Sequence, residues 1–268
     1  MLSSPRRRPH PLRQQSLRQD YEEFVLQRIE EYKEQLSREK LLALADEAVR
    51  ELDVASEEQL VLTEVLVLEH VDRLITRRLN LPSFRRWRNQ HGKKRQAQRD
   101  PGYWGLEPDS LLVDLALRLD EGDVAVLVGT GTARGGFLLA AHDWPVLFLD
   151  QNIKAVERVE ARAAEEGLAR RFSALVVAFG AWFPDAVPTL GIIDPSVVAG
   201  LDAQVRERFI STFKDQTRSG GIHVVLPAQR RDGMITLSTE SLRTSYSDWS
   251  VQHRTMGDSA PYLIAVKP

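Results

Sequence analysis

From residue 109 to residue 226 the chain alternates short apolar runs with amphipathic stretches of ten to fifteen residues, a rhythm that leaves few folds open. The runs at 124–128, 145–149, 173–178, 190–193 and 222–226 have strand length and are dominated by Val, Ile, Leu, Phe and Ala. Helical spacing is expected around 109–117, 133–141, 153–166 and 201–217. Strands separated by helices build βαβ units, whose strands lie parallel in one sheet. The last two runs, 249–254 and 262–266, are separated by Gly257 and Pro261 with no room for a crossover helix, so they should pair antiparallel. The expected fold class is α/β: a doubly wound sheet, mostly parallel, with an antiparallel C-terminal hairpin.

An α-helical N-terminal segment precedes it. Residues 1–18 read as a disordered basic tail. In the helical extension, 19–82, Tyr21, Phe24, Val25, Ile29, Tyr32 and Leu36 recur at helical spacing, and a second helix should follow a cap at Ser37. Ser56 and Gln59 have capping-box spacing and should open a third helix that ends before Pro82. Two or three such helices make too little core to stand alone. They are expected to pack on the following domain, on another copy of the chain in a homo-oligomer, or on a protein partner. Residues 83–102, with Gly92, Pro101 and Gly102, read as a basic linker into a domain at 103–268.

Composition excludes several chemistries. There is no cysteine, hence no disulfide, thiolate metal site or cysteine nucleophile. The six histidines lack ligand spacing, so no metal is expected. No apolar run reaches the length of a membrane span and the start lacks a secretory apolar region, so cytoplasmic residence without membrane contact is expected. Net charge is only −2, but residues 84–99 carry seven Lys/Arg and residues 1–19 five Arg, with no acid in either stretch. Such polarity suits a polyanion such as nucleic acid, and it equally suits a solvated tail and linker.

The sequence VAVLVGTGTARGGFLLA (124–140) turns a strand into a helix through Gly129 and Gly131. Glycines there let the backbone turn tightly and let a ligand approach the peptide groups. Asp150 ends the next strand, 19 residues after Gly131, where a carboxylate can accept hydrogen bonds from both ribose hydroxyls of a nucleoside. A nucleotide-free turn remains the alternative. At this point residues 101–268 resemble a class I S-adenosylmethionine (SAM)-dependent methyltransferase, with a Rossmann-like sheet. Within that superfamily they are most similar to small-molecule enzymes of the tellurite-resistance and thiopurine type. The resemblance rests on VAVLVGTGTARGGFLLAAHDW, VLFLDQN, RSGGIHVVLP and the terminal PYLIAVKP. That last segment matches the antiparallel final strand that separates this fold from NAD-binding domains.

The resemblance implies SAM as cofactor and methyl transfer to a small-molecule acceptor, while the basic linker suggests RNA or DNA instead. It places Val128, Gly129, Thr130 and Gly131 at the methionine end, Asp150 and Gln151 at the ribose, and Phe179 and Gly180 at the adenine. Tyr103 and Trp104 belong to a lead-in whose aromatic residues help cover the ligands. Asp194, in IIDPSVV, partly resembles the Asp-Pro-Pro-aromatic motif of amino-methylating enzymes; it is a candidate base or substrate anchor, or a cap on the next turn. Four positions depart from the family pattern. Leu127 stands where an acid usually precedes the first glycine, Ala133 replaces the third glycine, Phe179 replaces a polar adenine contact, and Gly191 replaces the acid that often begins the fourth strand. These departures leave a second reading, a methyltransferase-like domain that has lost catalysis and serves as a binding or scaffold protein.

Overall fold

The computed structural model describes residues 16–55, 64–118, 120, 122–227, 239–255 and 261–268. Ser56, Gln59 and most of the expected tail lie outside these residues. The chain divides into two compact units, 1–94 and 95–268.

In the first unit, α1 (Leu17–Glu34) opens with a capping box: Ser16 accepts from the Gln19 N–H, and the Gln19 side chain accepts from the Ser16 N–H at 2.8 Å. Together with α2 (Arg38–Ala55) and α3 (Glu64–Arg78) it buries a small core of Ile29, Leu44, Ala48, Val71, Leu74 and Ile75. The spacing of Leu44 with Ala48, and of Val71 with Leu74 and Ile75, puts each set on one helix face.

Residues 84–98, expected as a linker, form a helix, α4 (Phe84–Gln98), which runs across the division between the units. Phe84, Trp87 and His91 lie three or four residues apart on one face, and Trp87 stacks on His91 with ring centroids 4.7 Å apart. Tyr21 of α1 meets Phe84 and Trp87, each at 5.5 Å. Gly92 does not break the helix because it faces open space, where its lack of a side chain costs only about 1 kcal/mol.

The second unit holds β1 (Ala125–Val128), β2 (Val146–Asp150), β3 (Phe172–Val176), β4 (Leu190–Ile193), β5 (Ile222–Val225), β6 (Ser250–Arg254) and β7 (Tyr262–Val266). Their order in the sheet is β3-β2-β1-β4-β5-β7-β6. The first five strands are parallel, and β7 runs antiparallel between β5 and β6. One face is covered by α5 (Leu111–Ala116), α6 (Ala133–Ala141) and α7 (Ile153–Glu165), which pack on Leu127, Phe148, Ile192 and Val224. The other is covered by α9 (Ala203–Gln216) and α10 (Thr239–Ser245), over Val126, Val128, Ile193 and Val225. Strands buried on both faces need no polar alternation, which is why β1 reads AVLV without a break. The helix expected at 201–217 is α9, and a short α8 (Pro195–Ala199) that was not expected precedes it, with Asp194 and Asp202 as their respective caps. This is the fold expected from the resemblance: a doubly wound sheet with an antiparallel last strand.

At the amino edge of the sheet, buried Asp123 binds Arg218 at 2.8 Å and the Thr189 hydroxyl at 2.9 Å, fastening the loops there. The carboxyl edge is arranged differently. The chain leaves β1 toward β2 on one side and leaves β4 toward β5 on the other, so the connections diverge. A crevice opens where such connections part, and ligands of doubly wound sheets bind in it.

Candidate functional site

The sheet brings Gly129, Gly131, Asp150 and Asp194 to that crevice. Gly129 follows β1 with φ of +88°, a backbone conformation that side chains disfavour. A Cβ on Gly129 would stand 2.5 Å from Val197 Cγ2 and 2.9 Å from Asp194 Cβ. On Gly131 it would stand 2.9 Å from Asp194 Cγ. Both glycines are therefore required by the chain's own β4–α8 turn, quite apart from any ligand.

Hydrogen bonding closes the corner further. Gly131 N–H donates to Asp194 Oδ2 at 2.9 Å. The Gly129 carbonyl accepts from both the N–H and the hydroxyl of buried Thr132, at 3.0 and 2.7 Å. The Val128 carbonyl accepts from Asp194 N–H at 2.8 Å. Thus much of the backbone expected to face a methionine moiety is already bonded within the protein. Thr130 and Gly131 nevertheless remain exposed, so the Gly131–Asp194 bond lies at the surface.

Asp194 has both oxygens engaged. Oδ1 accepts from the N–H and hydroxyl of Ser196, at 2.9 and 2.6 Å, which makes it the cap of α8. The Asp-Pro pair is a helix-start signal in its own right, with Pro195 at the first helical position. A role as base or substrate anchor would require Oδ2 to leave Gly131.

Asp150 is 6% exposed at the end of β2. Its Oδ1 accepts from Asn152 N–H at 2.8 Å, and Asn152 in turn caps α7. Among the described residues Oδ2 has no hydrogen-bond partner. The same turn carries Gln151, which is exposed.

Other expected site residues are placed elsewhere. Phe179 is buried against Phe209 of α9, with centroids 4.6 Å apart, so its ring is core and not a pocket wall. Gly180 has φ of +79°, and a Cβ there would stand 2.9 Å from Val205 Cγ1. Trp104 is buried beside Phe137 and donates from Nε1 to the Gln98 carbonyl at 2.6 Å. The Tyr103 hydroxyl donates to Glu166 Oε2 at 2.9 Å. Glu166 caps the far end of α7, a helix whose start adjoins Asp150, so the pair is held at the amino edge of the sheet and not over the crevice. Leu127 is fully buried among α5 and α6 residues and presents nothing to the crevice.

Arg134, in the first turn of α6, is exposed and has no ion-pair partner among the described residues. Asp194 stands out in the sequence, but its contacts with Ser196 and Val197, and the buried Thr132, were not expected from it. For Ser196, the Asp-Pro cap signal was available; no local pattern marks the other two.

No protein-family model matches the chain, and no curated protein matches it. Similar solved structures include TehB from Haemophilus influenzae, at 18% identity over 59% of this chain and 61% of that one, with a TM-score of 0.47. They also include the glycopeptide N-methyltransferase MtfA complexed with S-adenosyl-L-homocysteine (SAH), at 14% identity over 61% and 91%, TM-score 0.48. NodS from Bradyrhizobium japonicum WM9, an N-methyltransferase, matches at 15% identity over 59% and 92%, TM-score 0.47. The chain therefore spans less than two thirds of TehB. No helix among the described residues is long and apolar enough to cross a membrane.

Proposed function

We propose that residues 95–268 bind SAM in the crevice beyond β1, β2 and β4, and that the protein transfers its methyl group to a nucleophile on a small-molecule or nucleic-acid acceptor. Asp150 carries the reading. Its Oδ1 is fixed by Asn152 while Oδ2 has no partner among the described residues, which leaves a half-satisfied carboxylate where a ribose would lie. Bound SAM would supply an electrophilic methyl group and leave as SAH. Asp150 would hold the ribose, the exposed backbone at Thr130 and Gly131 would face the methionine end, and Asp194, once released from Gly131, would face the acceptor.

The closed corner does not by itself oppose binding. A surface hydrogen bond such as Gly131–Asp194 contributes about 0.5–1.5 kcal/mol, against about 8 kcal/mol for a micromolar ligand. Calorimetric titration of SAM and SAH tests the reading. Micromolar binding is expected for the wild type, with a loss of at least about 30-fold in Asp150→Asn, since two charge-assisted bonds disappear while the amide oxygen still accepts from Asn152. Equal affinity in the two proteins would remove Asp150 from the site.

A second reading has its own support. Asp194 and Val197 fill the space over Gly129 and Gly131, as expected if the domain has given up its cofactor and acts as a binding or scaffold protein. Absence of binding at millimolar SAM would establish that reading over the first. Asp194→Asn probes the closure directly. The amide oxygen can still cap α8, but the amide nitrogen would face the Gly131 N–H, donor against donor. Freed of its internal competitor, the corner should bind SAM about 2- to 10-fold more tightly, corresponding to one surface hydrogen bond. Weaker binding in that variant would mean that Asp194 itself contacts the ligand.

A further inference from the structure

Six of the seven cations of residues 84–99 lie on α4, distributed in a way that the cofactor reading does not use. Phe84 and Trp87 form the inward face of the helix, on Tyr21 and Phe24, with His91 stacked on Trp87. Arg85, Arg86, Arg88 and Lys93 are all exposed, and none has an ion-pair partner among the described residues. No acid occurs between 84 and 99 to neutralise them. Arg95 and Arg99 differ, because both bind Asp143, at 2.6 and 2.9 Å. The free charge therefore lies on the 85–93 stretch, about 12 Å of helix, or the length of three to four base-pair steps along a duplex.

We propose that the Arg85–Arg86–Arg88–Lys93 face of α4 is a sequence-independent binding surface for the phosphate backbone of a nucleic acid. The chemistry of the face selects this partner among the anionic ones. A protein interface needs an apolar or aromatic anchor at its centre, and the aromatic residues of α4 are consumed by α1. A membrane-surface helix must bury its apolar stripe in lipid, and that stripe is packed on α1 already. Phosphates require only charge and reach, and contacts to them carry no sequence information. For the same reason base stacking is not part of the surface: Phe84 and Trp87 face inward. Away from these cations and the Arg-rich first 19 residues the chain carries an excess of acid, which favours docking through this helix. The surface stands independently of the cofactor reading.

The test is fluorescence anisotropy of labelled RNA and DNA duplexes of about 20 base pairs with the full chain, from roughly 50 to 200 mM salt. Wild type should bind both duplexes without sequence preference and weaken steeply with salt. Replacing Arg85, Arg86, Arg88 and Lys93 together by Gln should lower the slope of log K against log[salt] by about 3 to 4 and weaken binding at least tenfold at about 100 mM salt. All four side chains are exposed and Gln is a good helix former, so thermal unfolding should change little, even with loss of the exposed Arg88 guanidinium that lies 5.9 Å from the Phe84 ring centroid. Replacing the three arginines by Lys instead should retain the wild-type slope. Unchanged binding in the Gln variant would overturn the proposal. So would loss of binding on deleting residues 1–15 with α4 intact, or binding to phosphatidylserine vesicles by a chain that ignores both duplexes.

Discussion

Gly191→Asp should leave no folded second unit. The substitution restores the acid that the methyltransferase pattern often has at the start of the fourth strand, yet in this protein the position has no space for one. Gly191 pairs with Val126 on one side and His223 on the other. A Cβ there would stand 2.6 Å from His223 Cδ2 and 2.7 Å from Phe213 Cζ, both ring atoms of fully buried side chains. Overpacking of this kind typically costs 1–3 kcal/mol, and it is felt already by Gly191→Ala. Aspartate adds a carboxylate buried without a designed partner, worth several kcal/mol more. A total of at least about 5 kcal/mol is comparable with the stability of a whole domain, about 5–15 kcal/mol. Soluble yield and urea unfolding of the two variants measure it; a Gly191→Asp protein unfolding within about 1 kcal/mol of wild type would show that the strand yields, against the packing argument.

That position illustrates what the sequence reveals and what it conceals. Strands were legible because each buried strand is an apolar run closed by Gly, Pro or Asp: 190–193 was placed to the residue, and 146–150 to within one. The antiparallel pairing of the last two strands was legible from the few residues between them, whereas the order of the strands across the sheet was not read from the sequence. Asp150 was legible because the end of a strand fixes where its side chain emerges. The helix α4 was hidden by its composition, since six cations and a glycine resemble a linker, although Phe84, Trp87 and His91 already carried helical spacing. Asp194 looked like chemistry because it stands beside the crevice, and its Asp-Pro signal also fits the cap that it forms. Its bond to Gly131 joins residues 63 positions apart, beyond any local pattern. Phe179 was assigned by its place after the third strand; the decisive fact, that Phe209 of a later helix claims its ring, is tertiary. Glycines mislead in the same manner. A Gly-x-Gly corner that admits a ligand and one that admits the protein's own Asp194 and Val197 have the same spelling.

A pH dependence should come from His223, on β5 beside β4. Its Nε2 lies 2.8 Å from Thr217 Oγ1, and its Nδ1 lies 2.8 Å from the Tyr246 hydroxyl. Thr217 donates its own proton to the Phe213 carbonyl at 2.7 Å, so Oγ1 accepts from His223 Nε2–H and Tyr246 donates to Nδ1. The ring is thus neutral and satisfied, and it packs against Phe213 and Trp249 with centroids 4.2 and 4.8 Å away. Burial, reinforced by the charges of Lys214 and Lys267, pushes its pKa down to about 3, and burial pushes the Tyr246 phenol up. Unfolded, the imidazole titrates near 6.5. Between these values the unfolded chain binds a proton that the folded one refuses, so stability is full above about 6.5 and falls with pH toward about 3. The slope approaches about 1.4 kcal/mol per pH unit below pH ~5.5, which amounts to about 2 kcal/mol between pH 6.5 and 4.5. Carboxylates such as Asp248, held below the usual range by its hydrogen bond to Lys214, act at lower pH, so the window above 4.5 belongs mainly to His223. His223→Gln keeps a donor and an acceptor in the strand but cannot titrate. It should be less stable than wild type at pH 7 and lack the decline between 6.5 and 4.5. Urea unfolding across that window decides the matter: parallel curves for the two proteins would mean that the wild-type ring accepts its proton without opening the Thr217–His223–Tyr246 chain.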